Sequence, residues 1–167
     1  MFLKSISLLI LISACTFAQG ALSSYITLPP KGWECINDPG QLPQKVKVIF
    51  VGSGQGNNPF TPSVNLAAES TTLSLKEYVA QAKAYHEGRA GTRCTVVGTI
   101  QTNAGPAQML QIDRASQWGD IRFLQAIYIQ DAEAYVITAT CLKSDFGNLS
   151  SQIFKAIQSF SLPTHAQ

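Results

Sequence analysis

The sequence predicts an α+β domain: a single antiparallel sheet of about six or seven strands, flanked by two main helices as an α/β/α sandwich. Three observations carry that reading. Residues 94–102 and 107–114, and residues 122–130 and 134–142, form two pairs of apolar, strand-like segments. The links between partners are too short for parallel crossovers, so each pair is a hairpin. Residues 75–87 and 148–159 instead repeat their apolar side chains every three or four positions, the helical period.

The remaining elements follow in chain order. Residues 25–28 are short and apolar, and Pro29-Pro30-Lys31-Gly32 turns the chain. Residues 33–36 begin a strand that stops at Asn37-Asp38-Pro39-Gly40, a turn signal. Residues 45–51 set Val46, Val48 and Phe50 against Lys45, Lys47 and Ile49, the period-2 pattern of a strand. Gly52-Ser53-Gly54-Gln55-Gly56-Asn57-Asn58-Pro59 looks like a phosphate loop, but it lacks the Lys and Ser/Thr, and no helix follows. With Pro59 and Pro62 it reads as an extended loop running toward residues 63–68.

The first helix has a capping box in Ser74 and Glu77, an apolar stripe of Leu75, Tyr78, Val79 and Ala82, and a stop at Gly88. The second aligns Leu149, Ile153, Ile157 and Phe160 on one face. Asp145 or Ser144 is available as its cap, and Pro163 blocks continuation.

Ahead of this domain, Met1 to Lys4 carry one positive charge, residues 6–12 are apolar apart from Ser7, and Ser13 and Ala14 are small. That is the three-part pattern of a secretory signal over residues 1–14. Ile12-Ser13-Ala14-Cys15 resembles a bacterial lipobox, in which Cys15 receives a diacylglycerol and becomes the mature N-terminus. Ordinary cleavage after Ala18 or Ala21 is the competing reading. Residues 15–24 then form a lipid-anchored tether, residues 25–163 the domain, and residues 164–167 a disordered tail.

Apolar residues make up 46% of the 167 and charged residues only 13%, a composition that excludes a disordered chain. Net charge is +2, from 12 basic and 10 acidic residues, and falls to +1 once Lys4 leaves with the signal. A surface that neutral does not steer nucleic acid. The membrane contact expected is the N-terminal lipid.

Pro30 and Gly32-Trp33 open a first strand, and Ser74-Leu75-Lys76-Glu77-Tyr78 starts a mid-chain helix. A Gly105-Pro106 hairpin precedes paired strands around residues 123–129 and 135–140, and a last helix ends at Ser159-Phe160. This order, over residues 25–163, resembles the PsbP-like/DcrB-like superfamily of photosystem extrinsic subunits, bacterial envelope lipoproteins and a Ran-binding nuclear import factor. The resemblance implies the sandwich fold and, with the lipobox, the bacterial envelope branch. It supplies no catalytic residue, because function differs between branches.

Candidate chemistry is sparse. Cys35, Cys94 and Cys141 remain for the exported domain, where at most one disulfide joins two of them and leaves the third buried or reactive. No C-x-x-C spacing exists for redox or zinc chemistry. His86-Glu87 begins like a zinc-protease motif, but Ala90 stands where the second His belongs. His86 is near enough in sequence to Cys94 for a thiol–imidazole pair, or else a polar residue at a helix end; His165 falls in the tail. Asp113 with Arg114 and Asp120 with Arg122 read as surface ion pairs. No cofactor or metal is indicated.

Partner contacts are expected from Asn57, Asn58 and Phe60 in the glycine-rich loop, since loops carry recognition. Trp118, within the polar turn Ser116-Gln117-Trp118-Gly119-Asp120, is either a binding hot spot or a lid folded back over the sheet edge. Three functions stay open: a non-enzymatic, lipid-anchored envelope protein that binds another envelope component, a carrier of a small apolar ligand, and a cysteine-dependent enzyme.

Overall fold

Alternation of apolar and polar side chains builds the sheet, and short polar turns fix its order. The computed structural model describes residues 25–54 and 59–163. The expected signal, tether and tail, with Cys15, Asn57, Asn58 and His165, lie outside the described residues.

The strands are β1 (Glu34–Ile36), β2 (Val46–Val51), β3 (Ser63–Ser70), β4 (Thr92–Thr102), β5 (Gly105–Arg114), β6 (Ile121–Gln130) and β7 (Glu133–Leu142). They form one sheet in the order β1-β2-β3-β7-β6-β5-β4, antiparallel throughout. The helices are α1 (Leu75–Glu87), between β3 and β4, and α2 (Phe146–Gln158), after β7. Strands β4 to β7 are a meander of hairpins, and β3 pairs along β7 to join the two halves.

Period 2 gives each strand two faces. One face carries Val48, Phe50, Val64, Leu66, Ile137 and Ala139, and α2 lays Leu149, Ile153, Ala156 and Ile157 onto it. The opposite face presents Leu110, Ile112 and Ile127 to Tyr78, Val79 and Ala82 of α1, which crosses β4, β5 and β6. Ile26 bridges to Phe160, both fully buried, so the start of the domain is pinned to the end of α2.

Helix α1 has the expected capping box: Ser74 Oγ accepts from Glu77 N–H, and the Glu77 carboxylate accepts from Ser74 N–H. Gly88 ends it in a right-handed conformation, φ −67°. Helix α2 starts two residues before the expected Asn148. Asp145 takes the N-cap position but makes no side-chain cap bond, so packing holds this helix.

The sequence pattern assigns residues 63–68, toward which the extended loop runs, to no element. They are the core of β3, paired on both sides, with Val64, Leu66 and Ala68 buried. Alternation was present, but Ser, Asn and Ala beside Pro59 and Pro62 weakened it until sheet pairing supplied the missing stabilisation. β2 and β3 therefore pair as antiparallel neighbours up to Val51 and Ser63, beyond which Gly52 N–H donates to Pro62 C=O at 2.9 Å. A Cβ on Gly52 would fall 2.7 Å from Cε2 of Trp33, so glycine there serves ring packing.

Asp131 and Ala132 join β6 to β7 with φ of 52° and 58°, the left-handed pair of a type I′ turn. Alanine is strained there by about 1 kcal/mol, so Ala132→Gly should raise the urea midpoint by a corresponding amount. Ile153→Ala, at a fully buried position, should lower stability by about 2–5 kcal/mol in the same unfolding measurement.

Candidate functional site

The two half-buried aromatic residues expected to meet a partner come together. Phe60 precedes β3 and Trp118 precedes β6, strands that are not neighbours, yet their rings lie 6.0 Å apart at 56°. Both loops leave the same end of the sheet, where Ser63 pairs with Thr140 and Ile121 with Leu142. Their contact therefore spans the end of β7.

The turn that presents Trp118 is rigid. Ser116 and Gly119 exchange backbone bonds of 3.1 and 3.2 Å, while Ser116 Oγ donates to Gly119 O and accepts from Trp118 N–H. Lys143 N–H donates to Asp120 C=O at 2.8 Å and ties the turn to the end of β7. Trp118 is thus packed on Phe60 rather than fully presented to solvent. Packing of that kind pre-organises an aromatic patch.

A charged row lies at the same end, on the face that α2 covers elsewhere. Arg93, Asp113 and Arg122 are direct cross-strand neighbours on β4, β5 and β6. Asp113 accepts two 2.8 Å hydrogen bonds from Arg122, through Nε and Nη2, and Lys143 Nζ stands 3.5 Å from the same carboxylate. The expected pairs, Asp113 with Arg114 and Asp120 with Arg122, are not formed. Register across strands, not adjacency along the chain, sets which charges meet. Arg114 instead lies over the Phe123 ring. The Arg122 hydrogen bonds hold the Asp113 carboxyl below its ordinary range.

Arg122 also stacks 4.9 Å over Phe146, the first residue of α2. Because α2 begins there and runs to the β4–β5 hairpin, where Gln158 C=O accepts from Asn103 N–H, it leaves β4 to β6 uncovered at this end. The result is an open groove of about 280 Å³ floored by Thr95, Gln111 and the charged row. Two cations, Arg122 and Lys143, meet the one carboxylate in it, and Arg93 lines it beside them.

The cysteines are not brought together. All three are free. Cys94 faces α1 and Cys141 faces α2, while Cys35 sits on β1, three strand positions from β7. That is roughly 14 Å at about 4.8 Å per strand, twice the Cα separation a disulfide tolerates. No pair among them forms the bridge that export would allow. Burial pushes every thiol up, Cys141 to about 11, so none is activated as a nucleophile.

His86 does not partner Cys94. Its Nε2 meets Gln125 Oε1 at 3.1 Å, and Gln125 in turn donates to Thr138 Oγ1. Among the described residues, no cluster of three or more His, Cys, Asp or Glu side chains is placed to hold a metal ion. Sequence reasoning missed Arg93, Arg122 and Lys143 as a group because only the strand register aligns them.

Burial lowers the His86 pKa below its ordinary 6.5, with the Arg89 and Arg114 charges adding to the effect. Unfolded chains protonate near pH 6.5 while the folded imidazole resists, so stability is full above that value and falls as pH drops toward 5. The carboxyls of Asp113 and of Glu69 on β3, the latter lowered against its burial by hydrogen bonds from Lys45 Nζ and Tyr78 Oη, lose their contribution only at lower pH. Urea midpoints should therefore decline between pH 6.5 and 5, and His86→Gln should flatten that window while sparing the acid limb.

No protein-family model matches the chain, and no curated protein matches it. Three solved structures resemble it. PA94, a Pseudomonas aeruginosa protein of unknown function, has a TM-score of 0.62 at 15% identity over 76% of this chain and 89% of its own. LpqN of Mycobacterium tuberculosis, involved in cell envelope biogenesis, has 0.56 at 12%, covering 78% and 77%. CyanoP, the cyanobacterial PsbP of Synechocystis, has 0.55 at 10%, covering 90% and 98%. Identities this low carry architecture alone, and the architecture they share with this chain is the PsbP-like fold.

Proposed function

We propose that the chain is an exported, lipid-anchored, non-enzymatic envelope protein that binds another envelope component at the loop end of its sheet. The observation that carries this reading is the contact between Phe60 and Trp118. Two loops from non-adjacent strands make one aromatic patch, and packed aromatic residues at a surface are what binding hot spots are made of. The signal and lipobox pattern ending at Cys15 supports export and anchoring. LpqN, described as involved in cell envelope biogenesis, shares the fold.

Two alternatives lose support. Burial keeps the three thiols protonated and the fold keeps them apart, which disfavours a cysteine-dependent reaction. The layer between sheet and α2 is filled by side chains such as Phe50, Leu66, Ile137 and Ile153, which disfavours an apolar ligand there.

Photo-crosslinking in cells tests the binding surface. A diazirine residue at exposed Gln117, beside an intact Trp118, should give one discrete adduct, and the same probe at Lys76 on α1 should give none. Joint Phe60→Ala and Trp118→Ala should reduce the Gln117 adduct at least tenfold, because hot-spot truncations cost about 2 kcal/mol or more. Equal labelling from positions 117 and 76 overturns the surface. Intact-mass analysis of the mature chain should find a diacylglyceryl Cys15, and an unmodified start at Gln19 or Leu22 overturns the anchor.

A further inference from the structure

We propose that the open edge of β4, with the cationic groove beside it, docks an extended acidic segment of a partner protein as an eighth strand. This goes beyond the aromatic patch to a second surface and names the chemistry that it recognises.

The two edges of the sheet differ. β1 is three residues long and bounded by turns, a short edge that offers little template. β4 has eleven residues and pairs only with β5, so alternate backbone N–H and C=O groups face outward along it. Val96 and Val97 on that strand are 43% and 49% exposed, two of the three large apolar side chains exposed among the described residues. A bulge between Val96 and Gly98, with Gly98 at φ +125°, lets both valines stand out on the edge.

The groove decides which strand fits. Arg93 and Thr95, on β4 itself, line it with Arg122 and Lys143. Arg122 and Lys143 share Asp113, while Arg93 makes no ion pair among the described residues. A strand added at residues 92–96 would run one strand spacing, about 4.8 Å, from Arg93. Its alternate side chains would project over the groove, where carboxylates two residues apart lie beside Arg93 and Thr95 and meet the Arg93 guanidinium. The intervening side chains would lie on the opposite face, with Val96.

Charge complementarity also argues against occupants from this chain. A second copy would present its own β4, whose one charged residue is Arg93, placing no carboxylate in the groove. Residues 1–24, 55–58 and 164–167 contain no Asp or Glu. The acid has to come from another protein.

The test is a fluorescence anisotropy titration of the full mature chain with a labelled peptide that alternates Val and Glu. Saturable binding is expected, weakening as salt rises. A Lys-for-Glu peptide, and a Val-Glu peptide N-methylated at alternate residues, should each bind at least tenfold more weakly. Arg93→Glu, an exposed substitution that leaves the fold intact, should weaken the Val-Glu peptide about tenfold, whereas Trp118→Ala should bind like the parent. No saturable binding overturns the proposal. So does equal affinity for the Lys or N-methylated peptide, an unchanged Arg93→Glu titration, or equal loss in Trp118→Ala. A sedimentation dimer dissociated by Val97→Lys would assign the edge to self-pairing and overturn it as well.

Discussion

Burial of α2 against one face of the sheet is the constraint on which the rest of the molecule depends. Ile153, Ala156, Ile157 and Phe160 lose all exposure in doing so. Each fully buried isoleucine contributes about 1.5–3 kcal/mol, so two of them contribute about 3–6 kcal/mol, comparable with the lower end of a small domain's net stability of about 5–15 kcal/mol. Nothing local competes with that term, because the Asp145 cap makes no side-chain bond. The helix must lie where the sheet is most apolar, over β7 and its neighbours. Ile26 then docks onto Phe160 and ties the segment before β1 to the end of α2.

That placement also determines what stays open. A thirteen-residue helix is about 20 Å long at 1.5 Å per residue, shorter than the ten- and eleven-residue strands at 3.3 Å each. One end of the sheet must go uncovered, and the strands answer with polar side chains there. Asp113 and Arg122 satisfy each other, Lys143 joins them, and Phe146 offers its ring to Arg122. The loops that carry Phe60 and Trp118 emerge at that same end. The aromatic pair and the charged row are therefore both consequences of where α2 begins.

Much of this architecture was legible in the sequence, for reasons particular residues make plain. α1 read correctly to the residue because its cap, stripe and stop are all local signals, in Ser74, Glu77, Leu75, Tyr78 and Gly88. Both hairpins were legible because their links are short. β3 was not, since Ser63, Asn65 and Ala67 have weak strand preference alone and become strand through two neighbours. The site was half legible. Phe60 and Trp118 were singled out as residues, but their contact crosses β7 and has no trace in the chain order. The Arg93–Asp113–Arg122 row is hidden for the same reason: it exists in register, not in sequence, and nearest-neighbour charges suggested the wrong partners.

A nearly neutral chain makes such a row count for more. With net charge of +2, the protein has little overall field to attract or repel a partner. Screening at physiological salt confines each charge to about 8 Å, so recognition is governed by whichever charges lie together. Across β4, β5 and β6, neighbouring strands are about 4.8 Å apart, so Asp113 lies within one screening length of both Arg93 and Arg122. Asp113 is ionised there because Arg122 hydrogen-bonds it, and in return it neutralises only one of the three cations. The surplus positive charge sits beside the long, exposed edge of the sheet. Electrostatics of this kind sets register and partner choice more than raw affinity, which is the role that a shallow groove next to unpaired backbone is suited to perform.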